Sequence, residues 1–281
     1  MHGKRLNVRT TRREASPQST RLCGTAIALV VVLVSVPASR TVAQSKSDDV
    51  ATISKKCDAG EMPACDRLGY LYRWAEGVQR DSARAVALFT RSCDGGFPQA
   101  CVELGHMLRK GEGLPIDLAR AAGLYRQACD RAYFDGCTNL GGMYQLGVGV
   151  PQDRDQAEKL FKHACDHGYG LGCNDLAGLY RLGGSADVAK IFALFTKACD
   201  SGTAVGCNNL ARMYERGETV PVDFRRAAAL FRRACDKDNG AACLNLGLMY
   251  EQGKGLPRDA AVSTNLFKKA CGLGEPLACG R

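Results

Sequence analysis

Fourteen of the chain's fifteen cysteines stand in seven pairs, and the members of every pair are eight positions apart. The pairs are Cys57 and Cys65, Cys93 and Cys101, Cys129 and Cys137, Cys165 and Cys173, Cys199 and Cys207, Cys235 and Cys243, and Cys271 and Cys279. Their second members advance by 36 residues, with one step of 34 between Cys173 and Cys207. A fixed period in this range is the mark of a stacked repeat array, in which each unit buries its apolar face only against its neighbours. The two-residue shortening falls at Gly183-Gly184-Ser185, in a stretch that reads as a loop.

Sulfur chemistry limits what the pairs can be. Zinc sites use C-x₂₋₄-C spacings with further ligands close by, whereas these pairs are C-x₇-C and the chain has four His. An even count at one spacing reads as a disulfide framework. Two partners are within reach of each Cys, eight residues along or 28 residues back. The longer scheme strands Cys57 and Cys279 and meets a different interval between Cys173 and Cys199. Seven local bridges are therefore expected, and neither metal nor cofactor is.

The N-terminus points to the matching compartment. Residues 1–43 carry Lys4, Arg5, Arg9, Arg12, Arg13, Arg21 and Arg40 against Glu14 alone, then the apolar run Leu22–Val36. Val36-Pro37-Ala38 and Thr41-Val42-Ala43 offer small-residue cleavage sites. This reads as a signal peptide over 1–43, with a linker at 44–49 and the array over 50–281. An apolar run of this length falls short of the roughly twenty residues a membrane span needs. An exported protein, periplasmic or secreted and without stable membrane insertion, is expected. Because the leader holds most of the formal net charge of +9, the remainder is too mildly basic for a nucleic-acid binder.

Within a unit, Leu140, Met143, Tyr144 and Gly147 follow i, i+3, i+4, i+7, the stripe of an amphipathic helix. Gly147–Pro151 ends it, since Gly accepts the left-handed cap and Pro cannot continue. Asp81, Asp117, Asp153, Asp187, Asp223 and Asp259 then recur as N-caps of a second helix, whose stripe is Ala157, Leu160, Phe161, Ala164 and Cys165. Gly60, Gly96, Gly168, Gly202 and Gly274 close the second helices, with Ala132 and Asp238 in the other two units. The fold class is all-α: six helix pairs preceded by a truncated unit at Val50–Cys57. Each bridge should clamp the second helix of one unit to the first helix of the next.

The segment from Leu140 to Cys165, L-G-x-M-Y-x-x-G-x-G-V-P-x-D-x-x-x-A-x-x-L-F-x-x-A-C, closely resembles the Sel1-like repeat, a relative of the tetratricopeptide repeat. The C-x₇-C at each joint is similar to the Helicobacter cysteine-rich subfamily. The resemblance covers about Val50 to Arg281, and Gly272 departs from it where other units carry Asp. It implies an α/α superhelical solenoid acting as an interaction scaffold, with first helices on the concave side. It also implies, for some members, binding or weak hydrolysis of β-lactams. The sequence has no S-x-x-K with S-D-N and K-T-G, no H-E-x-x-H, no Walker loop and no G-x-S-x-G, so an enzyme is the weaker expectation.

Two residues past each unit's Cys stand Arg67, Glu103, Asn139, Asp175, Asn209 and Asn245. Amides both donate and accept, so Asn139, Asn209 and Asn245, with Asp175 between them and Trp74 as an aromatic anchor, are the expected groove for a protein or peptide ligand. His163 and His167 lie i, i+4 around Cys165, and read as a solvated helix end rather than a metal pair, because other units place Arg, Lys, Gln or Ser there.

Overall fold

The computed structural model describes residues 42–184 and 187–281. Among these there are thirteen α-helices and no strand. A first helix, α1 (Val42–Asp58), is followed by six helix pairs: α2 (Met62–Trp74) with α3 (Ser82–Asp94), α4 (Pro98–Lys110) with α5 (Leu118–Asp130), and α6 (Phe134–Leu146) with α7 (Arg154–Asp166). The later pairs are α8 (Gly170–Leu182) with α9 (Val188–Asp200), α10 (Ala204–Arg216) with α11 (Phe224–Cys235), and α12 (Gly240–Gln252) with α13 (Ala260–Gly272), and a 3-10 turn at Pro276–Ala278 follows.

Each end of these helices has a local cause. All six recurrent aspartates cap their helices: the Asp81, Asp117, Asp153, Asp187, Asp223 and Asp259 carboxylates each accept from the backbone N–H three residues on, at 2.9 Å. Such a cap is worth about 1 kcal/mol. After the second helices the backbone turns left-handed in every unit, including Ala132 (φ 58°) and Asp238 (φ 59°) where Gly is absent. In the loop between paired helices, Gly149 (φ 73°) presses on the backbone of Leu118, whose O lies 2.6 Å from where a Cβ would stand. Thr219, in the same register, also holds φ 74°, a strained setting for a β-branched residue.

The core alternates glycine with aromatic rings. Gly105, Gly141 and Gly247 on first helices face Tyr125, Phe161 and Phe267 on second helices so closely that a Cβ would fall 2.6 Å from each ring. Ala177 and Ala211 take this place in the units that bury Phe195 and Phe231. Pairing of a small residue with a large one brings the two helix axes together at interior packing density.

All seven expected disulfides are present. Each spans a Cα–Cα distance between 4.3 Å and 4.9 Å and ties a second helix to the start of the next unit. Val50 and Ile53 of α1 pack on Leu68 and Leu71 of α2. α1 runs through residues 44–49, a stretch with neither Gly nor Pro to stop a helix spreading outward from the packed Val50–Cys57. The leader over 1–41 and Ser185 of the shortened loop lie outside the described residues.

Candidate functional site

First helices of successive units touch one another, α6 with α8 and α8 with α10, and so form one continuous face. Along this row the structure places the expected groove residues as follows. Asn139 donates to the carbonyl of Asp135 in its own helix at 2.8 Å. Asn209 donates to Asn174 Oδ1 at 2.9 Å, and Asn245 to Asn208 Oδ1 at 3.2 Å. Asn174 in turn donates to Asp175 at 3.1 Å. Asn209 and Asn245 thus form rungs between repeats, whereas Asn139 bonds within its own helix. Trp74 is 53% exposed, 6.2 Å from the Tyr70 ring, with the Arg73 guanidinium 5.1 Å over its own ring.

Positions equivalent to Trp74 carry Leu146 and Leu182, exposed by 71% and 77%. Three large apolar side chains therefore stand out from first helices on one register, where the same helices otherwise bury their leucines and methionines.

A polar group comprises Asp66 and Arg73 of α2, Glu103 of α4 with Glu112 just past it, Asp135 of α6, and Tyr133 and Tyr169 just before α6 and α8. Asp66 is only 7% exposed and its Oδ1 has no hydrogen-bond partner. Burial, then the neighbouring Glu103 carboxylate, push the Asp66 carboxyl up to about 6, against a pull from Arg67. Glu103 is also raised by burial, opposed by Arg73, whose Nη1 donates to it at 2.6 Å while its Nε donates to Glu112 at 2.8 Å. Asp135 accepts a short hydrogen bond from the Tyr169 hydroxyl. Tyr133 completes the group, its phenol pushed up to about 12 by burial and by Asp135. Sequence reasoning singled out Glu103 alone among these. The available signal was an aromatic four residues before the unit's Cys in three consecutive units, at Phe97, Tyr133 and Tyr169.

The Asp66 environment has a measurable consequence. Its folded-state value lies above the unfolded one, so the native state holds the proton more tightly, and stability falls as pH rises from about 4 to about 6. Above that window, ionised Asp66 costs up to about 3 kcal/mol. Asp66→Asn should therefore raise the thermal midpoint at pH 7.5 and leave it nearly unchanged at pH 4. Equal midpoints for the two proteins at pH 7.5 would refute the assignment.

His163 and His167 are 4.6 Å apart between ring centroids and both rest on Phe134. Among the described residues no three His, Cys, Asp or Glu side chains converge as a metal site requires. At the positions equivalent to His163, Arg233 and Lys269 donate to the carbonyls of Cys199 and Cys235 at 2.8 Å and 2.7 Å. These cations serve the C-terminal end of the preceding unit's second helix, where the helix dipole favours them. A separate cleft of about 480 Å³ between α1 and α2 is lined by Val50, Ile53, Leu71, Arg67 and Glu76. The last two already pair across it at 3.3 Å.

No curated protein matches the chain. Among solved structures, it is similar to c5321, a protective antigen of uropathogenic Escherichia coli with an SLR fold, at 29% identity and a TM-score of 0.64. That match covers 82% of this chain and 50% of the other, so the chain spans half the length of that relative. A Sel1 repeat protein from Oxalobacter formigenes matches at 20% identity and a TM-score of 0.67, covering 79% and 96% of the two chains. Cysteine-rich protein B of Helicobacter pylori matches at 31% identity over 46% of this chain and 94% of its own, with a TM-score of 0.40. The Sel1 repeat family model matches six times in succession, at residues 63–97, 98–133, 135–169, 169–203, 204–239 and 240–275. Six consecutive matches over more than half of its length make this chain a member of the Sel1 repeat family.

Proposed function

We propose that this protein is an exported scaffold that binds protein or peptide ligands along the face built by its first helices. Sel1 repeats are protein-interaction modules, and the observation that carries the reading is the exposed row Trp74, Leu146 and Leu182. Apolar side chains in register along a face rimmed by polar groups mark an interaction surface. Asn139, Asp175, Asn209 and Asn245 line the same helices as candidate polar contacts, and Asn209 and Asn245 also hydrogen-bond to the preceding unit. Seven disulfides belong to an oxidising compartment rather than the reducing cytosol. The basic and apolar leader supplies the route there, and the likeness to a protective antigen supports a location that antibodies reach.

Photo-crosslinking tests the reading. A benzophenone side chain placed at Leu146 or Leu182 should yield discrete adducts in cells, whereas the same group at exposed Lys159 on a second helix should not. Adducts of equal yield and identity from all three positions would refute a ligand face on the first helices.

A further inference from the structure

By its place in the repeat, α1 is a second helix. It runs into the Cys57–Cys65 bridge as each later second helix runs into its own. Ile53 stands four residues before Cys57, the position that Phe89, Tyr125, Phe161, Phe195, Phe231 and Phe267 hold before their own cysteines. Those six rings are at most 3% exposed, because each packs with the first helix of its own unit, at the Gly or Ala of a Leu-Gly or Leu-Ala pair. Ile53 is only half-buried, and among the described residues no first helix of its unit stands over it.

A second column points to the same place. Asn209 and Asn245, two residues past their cysteines, donate to Asn174 and Asn208 of the preceding first helix. Arg67 holds that position in α2, where no first helix precedes among the described residues. It pairs instead with Glu76, just past its own helix, at 3.3 Å. Between the Ile53 and Arg67 columns lies the cleft of about 480 Å³, with Val50 and Leu71 on its walls. The place that a first helix fills in six units is thus open beside α1, and the contact surface continues an interface that the molecule repeats six times.

Those six interfaces state what fits. Each first helix carries Leu-Gly or Leu-Ala, then Leu or Met three residues after the first Leu. The small residue lets the helix axes approach at interior density, and the larger ones seat in the groove as i and i+3 anchors. This motif occurs six times in the chain, once in each first helix, and every copy is engaged within its own unit. α1 contains neither Leu nor Gly, and residues 1–41 hold no copy of the motif. A second copy of the chain would have to open one of its own units to supply it.

We propose that the cleft between α1 and α2 docks an amphipathic helix of a partner protein, one that carries Leu, then Gly or Ala, then Leu or Met in this spacing. Ile53 receives its small residue, Val50 and Leu71 take its larger apolar side chains, and Arg67 borders its polar edge. The site is separate from the Trp74, Leu146 and Leu182 row and does not depend on it.

The test uses the exported, disulfide-intact protein and a peptide copied from α4, Pro98–Lys110, with Cys101→Ala and Gly105→Ala. Isolated helices of this length are marginal in water, so a hydrocarbon staple joins positions 99 and 103. The control peptide carries Gly105→Phe instead of Gly105→Ala. In methyl NMR titrations the first peptide should shift Val50, Ile53 and Leu71 and bind at least ten-fold more tightly than the control. Ile53→Arg in the protein should abolish those shifts, with circular dichroism confirming its fold. Equal affinities for the two peptides, or no shift at the three methyl-bearing residues, would overturn the proposal. Shifts confined to Leu146 and Leu182 would also overturn it, while supporting a ligand face on the first helices. A dimer seen by light scattering and split by Ile53→Arg would give the cleft to a second copy and overturn the partner helix.

Discussion

Full reduction of the seven disulfides should lower the thermal midpoint by tens of degrees and leave most of the chain unfolded near room temperature. Each bridge closes a loop of about eight residues, and cross-linking a loop of that size is worth about 2.5 kcal/mol in the chain-entropy model. Successive bridges are a whole repeat apart, far enough for their effects to add. Seven such contributions exceed the 5–15 kcal/mol that separates typical folded domains from their unfolded ensembles. The half-cystines from Cys57 to Cys243 are nearly all fully buried, and reduced thiols still fill those places as small apolar groups. Reduction therefore removes the cross-link while largely sparing the packing. Circular dichroism at 222 nm, with and without dithiothreitol, reads the difference. A reduced and thiol-blocked chain that melts within a few degrees of the oxidised one would show that helix packing alone holds the array.

This dependence also explains which parts of the molecule could be read from the residues in order. The bridges were legible because both sulfurs sit eight positions apart along one chain, and a turn between two helices brings such positions together whatever the rest does. The Asp caps were legible for the same reason, since Asp223 and the N–H of Arg226 are neighbours within a single helical turn. The left-handed closures at Ala132 and Asp238 followed from register with Gly in other units.

The features that escaped depend on the rotation of one unit against the next. Asn209 donates to Asn174, 35 residues earlier, a contact with the preceding unit that its own repeat does not show. Arg233 suits the end of its own helix by sequence, yet it donates to the carbonyl of Cys199 in the preceding unit. Asp66 and Glu103 stand in the same two columns as the Asn174–Asn209 and Asn208–Asn245 pairs, a contact between units that the period of the sequence does not reveal. Ligand chemistry was the least legible element because the positions that break the repeat are the ones that make the surface particular.

Phe161→Ala should cost about 3–5 kcal/mol and divide one unfolding transition into two. The side chain is 1% exposed, and emptying such a site loses both transfer energy and the contacts of the cavity wall. Its position makes the effect more than local. The buried core falls into two main runs, Ala85–Met143 and Ala157–Ala278. The Phe161 ring lies at their meeting point, packed on Gly141 of α6, the helix that carries Leu140 and Met143 of the first run. In an array whose units contact only their neighbours, cooperativity passes through each interface in turn. Loss of the ring should let the helices up to α6 and those from α7 onward unfold at different urea concentrations, joined only by the loop between α6 and α7, which neither Cys129–Cys137 nor Cys165–Cys173 spans. Hydrogen exchange by mass spectrometry assigns each transition to its segment. Phe161→Leu, which keeps most of the volume, should retain a single transition at a slightly lower midpoint. One sharp transition in Phe161→Ala, displaced by less than about 1 kcal/mol, would mean that the remaining contacts between α6 and α7 couple the two runs and the ring does not.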